Sequence, residues 1–96
     1  MNFQNNHSGN GGYISLIEDS KEIGRLTYTI FPEEKKLVIS FVLVYPEFEG
    51  KGYGKLLLVE EALNTARKHQ LKVYPHCSYS RSVMNRMEGI DDIYLK

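Results

Sequence analysis

The sequence predicts an α+β fold, a mostly antiparallel sheet carrying one long helix and one short one. Three observations carry that expectation. Apolar and polar residues alternate on either side of a tight turn between Tyr13 and Ile30, an almost unbroken apolar run follows at Leu37–Val44, and a glycine-rich stretch then gives way to apolar residues at helical spacing. Ninety-six residues, 42% of them hydrophobic and 25% charged, suit one folded domain over 1–96 with a core of its own.

Each element has its own signature. Met1–Gly12 is polar and rich in Asn and Gly, so a flexible segment is expected up to residue 12. Tyr13, Ile14, Leu16 and Ile17 form a first strand, the cluster Glu18–Glu22 a turn, and Ile23, Leu26, Tyr28 and Ile30 a second strand whose alternation with Arg25, Thr27 and Thr29 leaves one face wet. Seven of the eight residues of Leu37–Val44 are apolar, which predicts a central strand covered on both faces. Pro46 ends it, because proline has no amide to continue a ladder. From about residue 53 to residue 70, Leu56, Val59, Leu63 and Ala66 recur on one helical stripe, with Arg67, Lys68 and His69 at the end where the helix dipole is negative. Leu71–Cys77 reads as a short strand, placed at an edge, an end or a splayed position by Pro75. Tyr79–Met87 reads as a short helix capped by Ser78 or Ser80, and Asp91–Leu95 as a last extended piece. Strand, long helix and next strand make a βαβ crossover.

Composition removes several functions. Twelve Lys+Arg balance twelve Asp+Glu, without the basic excess of a nucleic-acid binder, so no nucleic-acid partner is expected. No stretch approaches the ~20 apolar residues of a membrane span, and no basic, then apolar leader is visible, so no membrane partner is expected. The single cysteine, Cys77, cannot form an internal disulfide, which points to a reducing compartment and the cytoplasm.

The chemistry lies in Gly50-Lys51-Gly52-Tyr53-Gly54-Lys55, between a strand and a helix start. Helix N-termini present unpaired N–H groups and a partial positive charge, which makes them anion sites. The P-loop pattern fails, because Leu56 follows Lys55 and Glu49 stands where its first glycine belongs. The dinucleotide fingerprint fails in both registers, at Lys55 and at Leu57.

Gly52-Tyr53-Gly54 resembles the end of the Q/R-x-x-G-x-G/A pyrophosphate loop of the Gcn5-related N-acetyltransferases, with Glu49 where Gln or Arg is usual. The resemblance extends over nearly the whole chain to a short subfamily of similar length that lacks the usual N-terminal helices. Val44, Pro46, Glu47, the three loop glycines, Leu57, Ala66, Arg67, Leu71, Lys72, Cys77, Ser78, Tyr79, Asp92 and Tyr94 follow its pattern in order, while Phe41-Val42 replace a frequent His-Thr.

What this implies is an acetyl-CoA-dependent N-acetyltransferase acting on an unidentified amine, or else an acetyl-CoA-binding module with little catalysis. The pyrophosphate would sit on the amides of Gly50, Lys51, Gly52, Tyr53, Gly54 and Lys55, and the pantetheine along the backbone of Leu43 and Val44. No metal is implied. Many relatives carry an acidic tyrosine on the last helix; residues 81–87 contain none, which leaves Tyr79. His76 and Glu47 are candidate bases. Cys77 is either an acyl-accepting nucleophile or a small thiol packed at a strand end.

Overall fold

The computed structural model describes residues 2–51 and 54–96. Five strands form one sheet in chain order: β1 (Asn2–Ser8), β2 (Gly11–Glu18), β3 (Lys21–Phe31), β4 (Lys36–Val44) and β5 (Lys72–Pro75). The first four are antiparallel neighbours, and β4 and β5 are parallel. Parallel neighbours need a crossover, supplied by helix α1 (Gly54–Lys68); helix α2 (Ser78–Arg86) follows β5. This is the α+β architecture that the sequence predicts, with one long helix and one short one.

The N-terminal segment departs from expectation. Residues 2–8 pair with β2 along their whole length, from Asn2 opposite Ile17 to Ser8 opposite Gly11. A two-residue turn with Gly9 at φ +61° closes this hairpin, and Asp19 and Ser20, at φ 51° and 65°, close the next. Strand β1 left no hydrophobic signal because it buries none of its side chains fully. Backbone pairing holds it, together with Asn5, which accepts the Tyr28 hydroxyl at 2.7 Å.

The core is one cluster in which Ile14, Leu16, Leu26, Leu37 and Ile39 of the sheet meet Leu58, Val59, Ala62 and Ala66 of α1 and Val83 and Met84 of α2. Leu56, expected on the buried stripe of α1, is 37% exposed, and Leu58 takes the buried place. In β4 the buried positions switch from Leu37 and Ile39 to Val42 and Val44, because a bulge leaves Ser40 without a partner between Thr27↔Phe41 and Tyr28↔Ile39. The expectation that β4 is covered on both faces is corrected here: Phe41 is 53% exposed. An apolar run alone does not say how many layers will cover it.

On the face of β2 and β3 away from this core, Glu22 accepts hydrogen bonds from Ser15, from Tyr45 and from Arg25, whose guanidinium also lies 4.0 Å over the Tyr13 ring. Burial pushes the Glu22 carboxyl up, but the hydrogen bonds from Ser15, Tyr45 and Arg25 outweigh it and hold the group below the ordinary carboxylate value of 4.5. A depressed folded-state pKa contributes stability above the unfolded value and loses it as pH falls through the folded one. Thermal stability is therefore expected to fall on acidification below about pH 4.5, and Glu22→Gln to flatten that part of the curve, as melting temperatures across a pH series will show.

Candidate functional site

Strand β5 pairs with β4 only from Lys36 to Ile39. The Ile39 carbonyl accepts from the amides of both His76 (3.0 Å) and Cys77 (3.3 Å), and the chain then turns into α2. Lys72 and His76 donate toward β4, so alternation turns the nitrogen of Pro75 outward, where its missing hydrogen costs the ladder nothing. Residues Ser40–Val44 continue past this point, and among the described residues no strand lies beside their β5-side edge.

Alternation also says which groups face that open slot. The Tyr45 amide donates to the Ile23 carbonyl of β3 at 3.0 Å. Neighbouring residues of a strand direct their N–H and C=O groups to opposite sides, so Phe41 and Leu43 bond to β3 while Val42 and Val44 turn toward the slot. Of the two residues singled out in the sequence, Val44 therefore faces the slot through its backbone and Leu43 does not. Val42 was missed because its phase depends on the bulge at Ser40, which has no signature in the sequence.

Helix α1 begins at the end of this slot. Gly54 is buried, and a Cβ placed on it would stand 3.0 Å from Val44 Cγ2, so glycine lets the helix start press directly on the end of β4. The first turn of α1 contains no acid and carries Lys55 instead, at the end where the dipole is already positive. A helix start built this way is suited to an anion. Gly50 and Lys51 belong to a 3-10 turn, Pro46–Lys51, ahead of it. Gly52 and Tyr53 lie outside the described residues, as do the side chains of Glu49 and Lys51.

The opposite wall is α2. Tyr79 sits in its first turn with the Lys55 ammonium 5.2 Å from its ring centroid. Burial raises the Tyr79 phenol above its ordinary 10.0, against a smaller pull from Arg86, so the hydroxyl is a proton donor at neutral pH. A cleft of about 300 Å³ runs between the helices, lined by Leu56, Tyr79, Val83, Arg86 and Met87. Cys77 is the N-cap of α2: its Sγ accepts the Ser80 amide at 3.4 Å and lies 2.9 Å from Ser80 Oγ. That is the role serine usually fills, so Cys77→Ser is expected to keep the melting temperature within a few degrees, a shift of about 0.5 kcal/mol or less. His76 and Glu47 are exposed, and what the fold uses of His76 is its amide. The structure thus sets Gly54 against Val44, Lys55 by the Tyr79 ring, and Cys77 on the Ile39 carbonyl where β5 leaves β4. Among the described residues no group of three His, Cys, Asp or Glu side chains is placed to hold a metal, and no helix is long and apolar enough to cross a membrane.

A parallel strand pair that parts halfway, with a glycine-started helix crossing between the strands, places the molecule among the acetyltransferase-like folds. The chain belongs to the GCN5-related N-acetyltransferase family, whose model matches residues 13–93. Its fold is similar to the solution structure of a GCN5-like candidate N-acetyltransferase from Staphylococcus aureus, at 26% identity and a TM-score of 0.64, over 96% of this chain and 87% of that one. Among curated proteins no sequence matches it.

Proposed function

We propose that this protein transfers the acetyl group of acetyl-CoA to an amine. The observation that carries the reading is the open edge of β4 at Val42 and Val44, which meets the acid-free start of α1 at Gly54. The pyrophosphate binds the amides from Gly50 to Lys55, with the Lys55 ammonium close by, and Arg86 in the cleft between the helices offers a second positive charge to the nucleotide phosphates. The pantetheine lies along β4 as an additional strand, bonded by Val42 and Val44. One of these amides donates to the thioester carbonyl and strengthens its hold as negative charge develops on that oxygen.

The reaction is direct. The neutral amine attacks the thioester carbon, a C–N bond forms, the C–S bond breaks, and the electron pair leaves on the CoA sulfur. Tyr79 protonates the thiolate, because its phenol keeps its proton at neutral pH and stands at the head of α2. His76, exposed at the same strand end, receives the amine's proton. Cys77 caps α2 and takes no part in bond making. A lone thiol suits work in the reducing cytoplasm.

The test has two arms. Acetyl-CoA titrated into the protein should shift amides at 42–44, 54–57 and 76–79, and a panel of small amines should then show turnover. Tyr79→Phe is expected to lower kcat about 100-fold with little change in acetyl-CoA affinity, and Cys77→Ser to leave both unchanged. Shifts without turnover on any amine would reduce the protein to an acetyl-CoA-binding module. No shifts at all would overturn the proposal.

A further inference from the structure

A second cavity, of about 520 Å³, lies against the C-terminal end of α1, the length of that helix away from the slot. It is an open hollow bordered by β1, β3 and the turn before β4, and two of the residues lining it hold an unfavourable backbone. Lys35 has φ 52° and Gln70 φ 58°, the left-handed region where a side chain costs about 1 kcal/mol and glycine costs little. Lys35 caps the Pro32–Glu34 turn, its amide on the Pro32 carbonyl at 3.2 Å; among the described residues the other non-glycine residues found there, Asp19 and Ser20, make a hairpin turn. Gln70 occupies the position after α1 that glycine usually takes, with its own amide on the Arg67 carbonyl at 3.2 Å and the Leu71 amide on the Ala66 carbonyl at 2.9 Å. At both positions the chain retains a long polar side chain where none would be cheaper, and both line the same cavity.

The chemistry of the walls is one-sided. Among the described residues no Asp or Glu lines the cavity, whereas Lys35, Gln70, Asn5, His7 and His69 do. The Asn5 carbonyl accepts the Tyr28 hydroxyl, and its NH2 group is a donor. At the end of the helix the carbonyls of Ala66 and Arg67 accept the chain's own amides. Ile30, Pro32 and Leu71 supply an apolar surface beside these donors.

We infer that this cavity binds a small organic carboxylate with an apolar body, the carboxylate held by Lys35 and Gln70 and the hydrocarbon packed on Ile30 and Leu71. The site is separate from the acetyl-CoA slot, and its test does not depend on that reading. The protein is titrated with benzoate and with uncharged benzamide while amide shifts are followed. Benzoate is expected to move residues 5, 7, 30, 35 and 69–71, leave 42–44 and 54–57 in place, and bind about threefold to fivefold more tightly than benzamide, the advantage a partly exposed ion pair allows. Lys35→Gly and Gln70→Gly are each expected to raise the melting temperature and yet weaken benzoate about threefold or more. Benzoate shifts absent from this cavity, equal affinity for benzamide, or a Lys35→Gly variant that binds benzoate as well as the parent would each overturn the inference.

Discussion

Proline at position 44 is expected to leave a folded protein that no longer binds acetyl-CoA, whereas proline one residue earlier is expected to destabilise it strongly. The contrast follows from strand alternation. The Leu43 amide is directed at β3 in the middle of the sheet, and removing it breaks a ladder bond between central strands and drives the proline ring into β3. A loss of about 3 kcal/mol or more follows, which for a chain of this size lowers the melting temperature by roughly 12–24 °C. The Val44 amide is directed at the open slot, so Val44→Pro costs β3 no hydrogen bond. It replaces a buried side chain, 4% exposed, by a ring of similar size, at about 1–2 kcal/mol. On the proposed reading it removes a donor to the pantetheine, and the ring would block the strand-like approach as well. Acetyl transfer is expected to fall about 100-fold or more, as when a donor at a developing oxyanion is lost. Circular dichroism melts and calorimetry with acetyl-CoA on the two variants read both halves. A Val44→Pro protein that binds acetyl-CoA normally would remove the slot from the mechanism.

Gly24→Val is expected to destabilise the protein by about 3 kcal/mol or more and to take acetyl-CoA binding with it. Gly24 lies opposite Val44 in the β3–β4 pair, and a Cβ built there stands 2.7 Å from the Leu43 carbonyl oxygen, 3.0 Å from Val44 Cγ2 and 3.2 Å from Val44 Cα. Two of those atoms are backbone, so no rotamer change relieves the contact. The strands must separate at the residues that form the slot, and valine adds two more carbons to the clash. Gly24→Ala should act in the same direction with a smaller effect. Both are measured by thermal melts with and without acetyl-CoA. A Gly24→Val variant with an unchanged melting temperature would mean that β3 and β4 do not approach as described.

These predictions rest on features of unequal visibility in the sequence. The hairpin around Asp19-Ser20 and helix α1 were legible because each repeats its apolar residues at the period of its secondary structure, and strand β4 because seven of the eight residues of Leu37–Val44 are apolar. The start of α1 was legible as a candidate anion site because a glycine-rich stretch stands between a strand and a helix. Strand β1 was not, since an edge strand held by backbone pairing needs no apolar residues. The bulge at Ser40 was equally silent, and with it went the phase of β4: Val42 is as apolar as Leu43, and only the ladder says which of them faces the slot. Cys77 could be read as nucleophile or as packing from the sequence; its place at the N-cap of α2 came from the direction in which the chain leaves Ile39.

By itself, then, the sequence determined the periods: where apolar residues recur at strand or at helical spacing, and where glycines interrupt them. Those are local properties, set by φ/ψ preferences and by the spacing of apolar side chains. The tertiary structure alone decided how far β5 accompanies β4, which amides are left facing the gap, and that Lys35 and Gln70, thirty-five residues apart, line one cavity. Such facts depend on hydrogen-bond partners distant in the chain, and no local pattern of residues encodes them.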